Sequence, residues 1–153
     1  MYTAIYPGTF DPITKGHQSI ALRAASLFTH LIVAVGHNAD KRTLFSVEQR
    51  LDFIKKTFEN VENISVAAYN GLTVEFCRQN NIRYIVRGVR SEMDWGVESA
   101  IAAANKMLQP SIETVFLLTE PQFAGVSSSV VRDILKHQGD ASAFLPEEVV
   151  GWL

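Results

Sequence analysis

The sequence predicts an α/β fold: a doubly wound, five-stranded parallel sheet with helices on both faces. Short apolar runs that suit buried strands alternate with longer segments whose apolar residues recur at helical spacing, and this alternation repeats five times. Because strand–helix–strand connections are right-handed, successive units place helices on both faces of one sheet. No internal repeat or linker-like stretch interrupts the pattern, so we expect residues 1–153 to form one domain.

The first half of the chain supplies three predicted strands and three predicted helices. Pro7 and Gly8 end the first apolar run, and Gly36 ends the second, which is continuously apolar like a strand covered on both faces. Ser46 and Gln49 form a capping-box pattern at the start of a helix that continues through Leu51, Ile54 and Phe58. The predicted elements in order are strand 3–6, helix 16–28, strand 31–35, the helix after Ser46, strand 64–68 and helix 73–80.

The second half continues the alternation. A long alanine-rich helix is predicted to stop before Pro110, because proline cannot continue a helix. The predicted elements are strand 84–86, helix 93–108, strand 114–118, and helices over 129–137 and 147–153. Ligands of such sheets bind beyond the carboxyl ends of the strands. We therefore expect the site in the loops at 7–17, 36–45, 69–73, 87–98 and 119–129.

Composition and charge exclude several classes of protein. The chain is 47% hydrophobic and 20% charged, so it is neither disordered nor collagen-like. Its net charge of −2 argues against a general nucleic-acid or membrane-surface binder, and any anion site must be a local cluster of basic residues. A single cysteine, Cys77, forms no internal disulfide, and neither a membrane-spanning run nor a signal peptide is visible. We expect a cytoplasmic protein.

The turn between the first strand and the first helix is a candidate phosphate site. Gly8 allows the backbone to approach a ligand, and Gly16 and His17 fall at a helix amino terminus, where free N–H groups favour an anion. A histidine there can donate to a phosphoryl oxygen. The alternative is an ordinary turn in which Asp11 or Thr14 caps the helix and His17 lies on the surface.

Two further segments have phosphate-binding chemistry. Arg87-Gly88-Val89-Arg90 directly follows a predicted strand, and both guanidinium groups can face one anion. Ser127, Ser128 and Ser129 precede a helix, where a plain cap is the alternative to an anion cradle that Arg132 could also reach.

Other polar residues carry weaker predictions. Lys41 and Arg42 lie in a polar loop and could be merely solvated, and Glu98 could contact a ligand amine or ribose or simply face solvent. The histidines share no metal-ligand spacing, so no metal site is predicted. The phosphate-loop, dinucleotide-binding and nucleophile-elbow motifs are missing from the sequence.

The motifs in combination are similar to those of a known enzyme superfamily. Thr14-Lys15-Gly16-His17 and Ser128-Ser129-Val130-Val131-Arg132 match the paired T/H-x-G-H and S-S/T-x-x-R/K motifs of the nucleotidyltransferases. The segment from Ala4 to His17, Arg87–Arg90, the triple serine, and His137-Gln138-Gly139-Asp140 with Phe144-Leu145-Pro146 resemble, in order and spacing, the family of bacterial phosphopantetheine adenylyltransferases. The resemblance covers essentially the whole chain and implies a Rossmann-like nucleotidyltransferase fold.

The resemblance also implies a reaction and its residues. The phosphate of 4′-phosphopantetheine would attack the α-phosphate of ATP in line, giving 3′-dephospho-coenzyme A and pyrophosphate, with His17 stabilising the transition state. The implied catalytic residues are Thr9, His17, Lys41 and Arg90. The implied ATP contacts are Thr9, Phe10, His17, Gly88, Val89, Arg90, Glu98, Phe123, Ala124, Gly125, Val126, Ser127, Ser128 and Ser129. The implied acceptor contacts are Thr9, Lys41, Thr73 and Arg87.

The resemblance further implies Mg²⁺ accompanying ATP, feedback inhibition by coenzyme A, and a homohexamer built as a dimer of trimers, with no nucleic-acid or membrane partner. The chain departs from the family at Gly96 and Val97, which stand in place of a Glu-Tyr pair, at Thr73, where a larger apolar residue is usual, and at Phe123, where tryptophan is common. These changes bear on substrate affinity and on regulation.

Three other interpretations are open. A cytidylyltransferase or a nicotinamide-mononucleotide adenylyltransferase would share the superfamily motifs, but the 87–90 segment and the carboxyl-terminal match argue against both. A nucleotide sensor without turnover would be expected to lack His17, Lys41 or Arg90, all of which are present. A flavodoxin-like electron carrier has the same kind of sheet and would be coloured when purified.

Overall fold

The computed structural model describes residues 2–37 and 40–153. The five strands are β1 (Thr3–Gly8), β2 (His30–His37), β3 (Ile64–Asn70), β4 (Tyr84–Val89) and β5 (Glu113–Leu118). The five α-helices are α1 (Lys15–Leu27), α2 (Val47–Thr57), α3 (Thr73–Gln79), α4 (Glu92–Leu108) and α5 (Ser128–Lys136). Short 3₁₀ segments cover Pro121–Phe123, Ser142–Phe144 and Glu147–Trp152.

All strand pairs are parallel, and the order across the sheet is β3-β2-β1-β4-β5. The central strand β1 is paired on both sides, so that Ile5 lies between Ile32 of β2 and Ile85 of β4. The winding direction reverses between β1 and β4, and this is where a ligand is expected in a doubly wound sheet. The predicted fold class is confirmed.

Alternate residues of the strands bury opposite faces of the sheet. Ala4 and Tyr6 point into a core that α1, α2 and α5 complete, whereas Ile5 points into a second core with α3. Helix α4 covers the same side as α3 but contributes no buried residue. Among the described residues, no helix is long and apolar enough to cross a membrane.

Several strands are longer than the sequence predicts. β1 continues through Pro7 and Gly8, which pair with Ala34 and Val35 of β2. The pairing of β1 with β4 covers only Ala4 and Ile5, so Pro7 lies where a lost N–H donor breaks no bond to β4.

Strand β4 runs to Val89, so Arg87–Val89 belong to the strand rather than to a loop after it. The predicted terminal helix at 147–153 is a 3₁₀ segment over Glu147–Trp152. The segment is short and has Gly151 near its end, which disfavours an α-helix.

Candidate active site

A cleft of about 330 Å³ opens at the carboxyl ends of β1 and β4, and we call it the first cleft. The amino termini of α1 and α5 both reach it, through Gly16 and through Ser127–Ser129. The charged residues lining it are basic in excess, with Lys41, Arg42, Arg87, Arg90 and Arg132 against Asp11, Asp94 and Glu98. A chain with a net charge of −2 therefore gathers a local basic cluster at one site, as expected.

His17 is held at the start of α1 by a reciprocal cap. The hydroxyl of Thr14, the N-cap residue, accepts a hydrogen bond from the backbone N–H of His17, and the imidazole Nδ1 of His17 accepts one from the backbone N–H of Thr14 over 3.1 Å. A histidine takes here the place of the usual Glu or Gln of a capping box. The alternative in which Thr14 caps the helix is thus correct, but His17 is part of the cap rather than a surface residue.

The surroundings keep the His17 ring neutral. Burial, followed by the positive charges of Arg90 and Arg87, lowers the pKa of His17 to about 4. Because the backbone N–H of Thr14 can only donate, Nδ1 must be the unprotonated nitrogen, and the proton sits on Nε2. The ring therefore offers one N–H donor and no formal charge at neutral pH.

Phe10 supports that ring from below. Its side chain is only 2% exposed, and it packs edge-on against His17, with ring centroids 5.0 Å apart, and against Tyr6 at 5.4 Å. A Cβ at Gly8 would lie 2.9 Å from the Phe10 ring, so this position has room only for glycine. Phe10, predicted as an ATP contact, can meet a ligand through its backbone while its ring faces the core.

The predicted basic residues are held by neighbours at the rim of the first cleft. Lys41 donates through Nζ to the hydroxyl of Thr9 at 3.1 Å. Arg90 donates through Nε to Asp94 and through Nη1 to the carbonyl of Val126, both at 3.2 Å. The structure thus brings the four predicted catalytic residues Thr9, His17, Lys41 and Arg90 to one cleft.

The three serines use their hydroxyls differently. Ser127 is the N-cap of α5 and accepts from the backbone N–H of Val130 at 3.2 Å, whereas Ser128 donates its hydroxyl proton to the carbonyl of Pro12 at 2.8 Å. Ser129 accepts from Arg132 at 3.1 Å. The cap and the anion-cradle interpretations are compatible, because the cap uses the backbone N–H of Val130 and leaves those of Ser128 and Ser129, at the first two positions of the helix, for an anion.

Arg87 and Glu98 form a two-pronged ion pair across the site. Both hydrogen bonds, from Nε and Nη2 of Arg87 to the two carboxylate oxygens of Glu98, measure 2.6 Å. A third donor of Arg87, Nη1, points to the carbonyl of Pro7. Burial opposes the charge on Arg87, but the hydrogen bonds and charge of Glu98 outweigh it and hold the pKa of Arg87 above its ordinary value. Glu98 is therefore a partner of Arg87 and does not face solvent.

This ion pair forms a wall shared with a second cleft of about 290 Å³. The second cleft reaches toward β3 and α4, and Thr73 lines it, with its hydroxyl 2.7 Å from that of Tyr69. Asn105 of α4 closes another side. The residues common to both clefts are Pro7, Gly8, Thr9, Arg87 and Glu98.

Some predicted residues lie elsewhere. The side chain of Val89 is buried in the core, and Phe123 lines a separate depression beside the outer face of α1. Ala124 and Gly125 are outside the lining of both clefts, while Val126 is within the first. Four of the predicted ATP contacts therefore line neither cleft: Val89, Phe123, Ala124 and Gly125.

Asp94 and Thr119 line the first cleft and lie in loops expected to contain the site, but the sequence interpretation singled out neither of them. Asp94 could have been found, because it stands four residues after Arg90, at the spacing of an ion pair. Thr119 carries no signal in the sequence beyond its place at the start of the loop at 119–129.

Within residues 2–37 and 40–153, no group of three or more His, Cys, Asp or Glu side chains could hold a metal ion. The three carboxylates of the first cleft already have partners. Asp11 accepts from backbone N–H groups, Asp94 accepts from Arg90, and Glu98 from Arg87.

Comparison with known proteins agrees with this architecture. The cytidylyltransferase-like family model matches residues 5–134. The phosphopantetheine adenylyltransferase of Nautilia profundicola is 45% identical over 151 residues, covering 98% of each chain. That of Flavobacterium psychrophilum is 45% identical over 149 residues, and that of Cytophaga hutchinsonii 42% over 146, with at least 95% of each chain covered.

Among solved structures, a bifunctional NMN adenylyltransferase/ADP ribose pyrophosphatase from Francisella tularensis superposes with a TM-score of 0.73 at 16% identity. The match covers 95% of this chain but 45% of that one, and at this identity it shows the fold alone. Sequence relatives over the full length and a fold of the same class lead to one conclusion. The chain is an enzyme of the phosphopantetheine adenylyltransferase family, within the cytidylyltransferase-like nucleotidyltransferases.

Proposed function

We propose that this enzyme transfers the adenylyl group of ATP to 4′-phosphopantetheine, giving 3′-dephospho-coenzyme A and pyrophosphate. The observation that carries the proposal is the pair of clefts that share Thr9, Arg87 and Glu98 as a common wall. One cleft has two helix amino termini and a basic lining, which suits a triphosphate. The other is a separate space beside it, which suits the phosphorylated arm of an acceptor.

In this proposal the ATP phosphates lie along the first cleft. The backbone N–H groups at the start of α5 and the guanidinium of Arg90 receive the β- and γ-phosphates. The acceptor phosphate lies at Thr9 and Arg87, which line both clefts, and at Lys41 of the first cleft, whose Nζ donates to the hydroxyl of Thr9. An acceptor phosphate oxygen then forms a bond to the α-phosphorus while the bond to the β-phosphate oxygen breaks, and pyrophosphate leaves with that electron pair.

We propose His17 as the transition-state donor. Its proton is on Nε2, and its ring is braced by Thr14 on one side and Phe10 on the other. In-line phosphoryl chemistry asks the protein mainly for positioning and charge stabilisation. A neutral N–H aimed at a non-bridging oxygen strengthens as negative charge grows on that oxygen, and it needs no reorganisation at the moment of reaction.

Mg²⁺ is proposed to arrive with ATP, held by the phosphates and by water. The carboxylates that line the first cleft are engaged with Arg90, Arg87 and backbone N–H groups, so they do not form a built site for a cation. No step is assigned to the ion.

Coenzyme A is proposed to inhibit by competing for the second cleft, since it carries the same pantetheine arm as the acceptor. Raising the concentration of the acceptor should relieve this inhibition in steady-state assays.

We also propose that the chain assembles into a homohexamer of two trimers. Every residue of α4 is described and none is buried, and Met93, Val97, Met107 and Leu108 each expose 60% or more. An apolar helix face of this kind is typical of a surface covered by another chain. Sedimentation equilibrium should return six chain masses.

The test of the reaction is pyrophosphate release with Mg²⁺ and three substrate pairs: ATP with 4′-phosphopantetheine, CTP with glycerol 3-phosphate, and ATP with nicotinamide mononucleotide. Release with the first pair alone is expected. Release with another pair alone would overturn the acceptor assigned to Arg87 and Thr73, and no release with retained ATP binding would favour a nucleotide sensor.

A further inference from the structure

Arg50, in the first turns of α2, is buried but lines neither cleft. It is 2% exposed, and its guanidinium donates through Nη1 to the carbonyl oxygen of Thr9 at 2.8 Å and through Nε to the carbonyl of Ser46 at 3.3 Å. A buried arginine that gives its fork to main-chain carbonyls fixes backbone rather than pairing with a ligand. The backbone it fixes belongs to the turn that carries Thr9.

Asp11 makes the reverse connection. Its carboxylate, also buried, accepts from the backbone N–H groups of Leu44 at 2.8 Å and Phe45 at 2.9 Å. The β1–α1 turn thus sends a carboxylate to the loop before α2, and α2 sends a guanidinium back to the turn. We call Arg50 and Asp11, with these four hydrogen bonds, the clamp.

The clamp surrounds a backbone conformation that is unfavourable by itself. Phe10 lies between Thr9 and Asp11, which the clamp holds, and its φ is 48°. A non-glycine residue keeps this left-handed conformation only when its surroundings fix it. The ring that this conformation directs inward braces His17. On the other side of the clamp, the loop carries Lys41, whose Nζ is 3.1 Å from the hydroxyl of Thr9.

We propose that Arg50 is a positioning residue for the adenylyl transfer, acting by holding Thr9 and Lys41 at the spacing that one phosphate requires. This inference rests on the proposed function. Arg50 touches no substrate. It acts on the reaction through the two residues that meet the acceptor phosphate.

The test is a double-mutant cycle between Arg50 and Lys41. We expect Arg50→Met to lower kcat by about 10- to 100-fold, the scale of a displacement of about 1 Å among reacting groups. The KM for ATP should stay within about threefold, since the start of α5 is untouched. In a Lys41→Ala background, Arg50→Met should lower kcat by less than about threefold further. The effects of the two substitutions are not additive if Arg50 acts through Lys41. Arg50→Lys, which keeps one donor, should recover part of kcat.

A matched control lies on the same helix. Thr57 is buried and donates its hydroxyl to the carbonyl of Phe53 at 2.8 Å, far along α2 from the clamp. Thr57→Val should lower the melting temperature and leave kcat unchanged. Circular dichroism at the assay temperature identifies folded variants. If Arg50→Met is unfolded, Arg50→Lys and Asp11→Asn replace it in the same cycle.

The proposal would be overturned if the fold-losses of kcat in Arg50→Met and Lys41→Ala multiplied in the double variant. It would also be overturned if Thr57→Val lost as much kcat as Arg50→Met. An unchanged kcat in Lys41→Ala would overturn it as well. These results differ from a failure of the proposed function, in which the wild-type chain itself releases no pyrophosphate with ATP and 4′-phosphopantetheine.

Discussion

The backbone N–H of Thr14 donates to the imidazole Nδ1 of His17 over 3.1 Å. This one hydrogen bond selects the tautomer, because it leaves Nε2 as the protonated nitrogen. The same residue pair caps helix α1, so the helix cannot begin in this way without orienting the ring. Secondary structure and the proposed transition-state donor are therefore set by the same contacts.

Replacing His17 should lower kcat strongly and leave ATP binding almost unchanged. We expect His17→Ala to lower kcat by about 10²–10³, the scale for losing one transition-state donor, with the Kd for ATP within about threefold. His17→Gln, which can place an N–H near the Nε2 position, should lose less than His17→Asn. Pyrophosphate release and calorimetric titration measure the two quantities. A kcat for His17→Ala within threefold of wild type would contradict the role.

The free energy of unfolding should decrease as the pH is lowered from about 6.5 to about 4, because His17 titrates differently in the folded and unfolded chain. Its pKa is about 4 in the folded chain and about 6.5 unfolded, so the unfolded state binds more protons between these values. This contribution is complete above pH 6.5, shrinks as the pH falls and is gone below pH 4. At pH 5 it should amount to about 2 kcal/mol of lost stability. Urea unfolding of wild type and His17→Asn at pH 5 and 7.5 isolates it, and equal pH slopes would refute the assignment.

Arg87 should depend on its fork as well as its charge. We expect Arg87→Lys to raise the KM for the acceptor about tenfold, because a lysine cannot pair with both oxygens of Glu98 and also face a phosphate. The KM for ATP should change by less than about twofold. Steady-state kinetics with each substrate varied in turn separates the two. A rise confined to the KM for ATP would show that Arg87 serves the first cleft instead.

Two glycine-to-alanine substitutions should change the stability of the chain in opposite directions. Gly8→Ala places a Cβ 2.9 Å from the Phe10 ring, so we expect a loss of about 1–3 kcal/mol of stability together with reduced kcat. Gly96→Ala, within α4, meets no atom within 4 Å and should gain up to about 1 kcal/mol from helix propensity, with kcat unchanged. Thermal melts and pyrophosphate release on both variants check this. A loss of stability in Gly96→Ala would point to a contact with another chain.

The sheet and the location of the site follow from local sequence patterns. Continuous apolar runs set the strands, and the carboxyl-end rule then identifies the loops that carry His17 and the serines. The ends of β1 and β4 were harder to predict, because Pro7 and Gly88 discourage a strand locally while pairing with β2 and β5 extends it. Tertiary pairing overrides local preference at both positions.

Partners of polar residues were not predictable, because they come from distant parts of the chain. Of the predicted apolar face of α2, Ile54 and Phe58 are buried and Leu51 packs against the core. The structure adds buried residues that the prediction did not include, so that the buried i, i+3, i+4 and i+7 series of α2 is Arg50, Phe53, Ile54 and Thr57. An arginine at the head of that series is a sequence feature that could have drawn attention to Arg50. Its acceptor on Thr9, 41 residues away, could not have been deduced.

The wall formed by Arg87 and Glu98 has a consequence for the end of the reaction. In the proposed reaction the two substrates bind on opposite sides of this wall, whereas 3′-dephospho-coenzyme A, which joins them, would have to occupy both clefts. Such a product excludes either substrate while it stays bound. Dissociation of this product would then limit kcat. Inhibition by the product would be competitive toward each substrate.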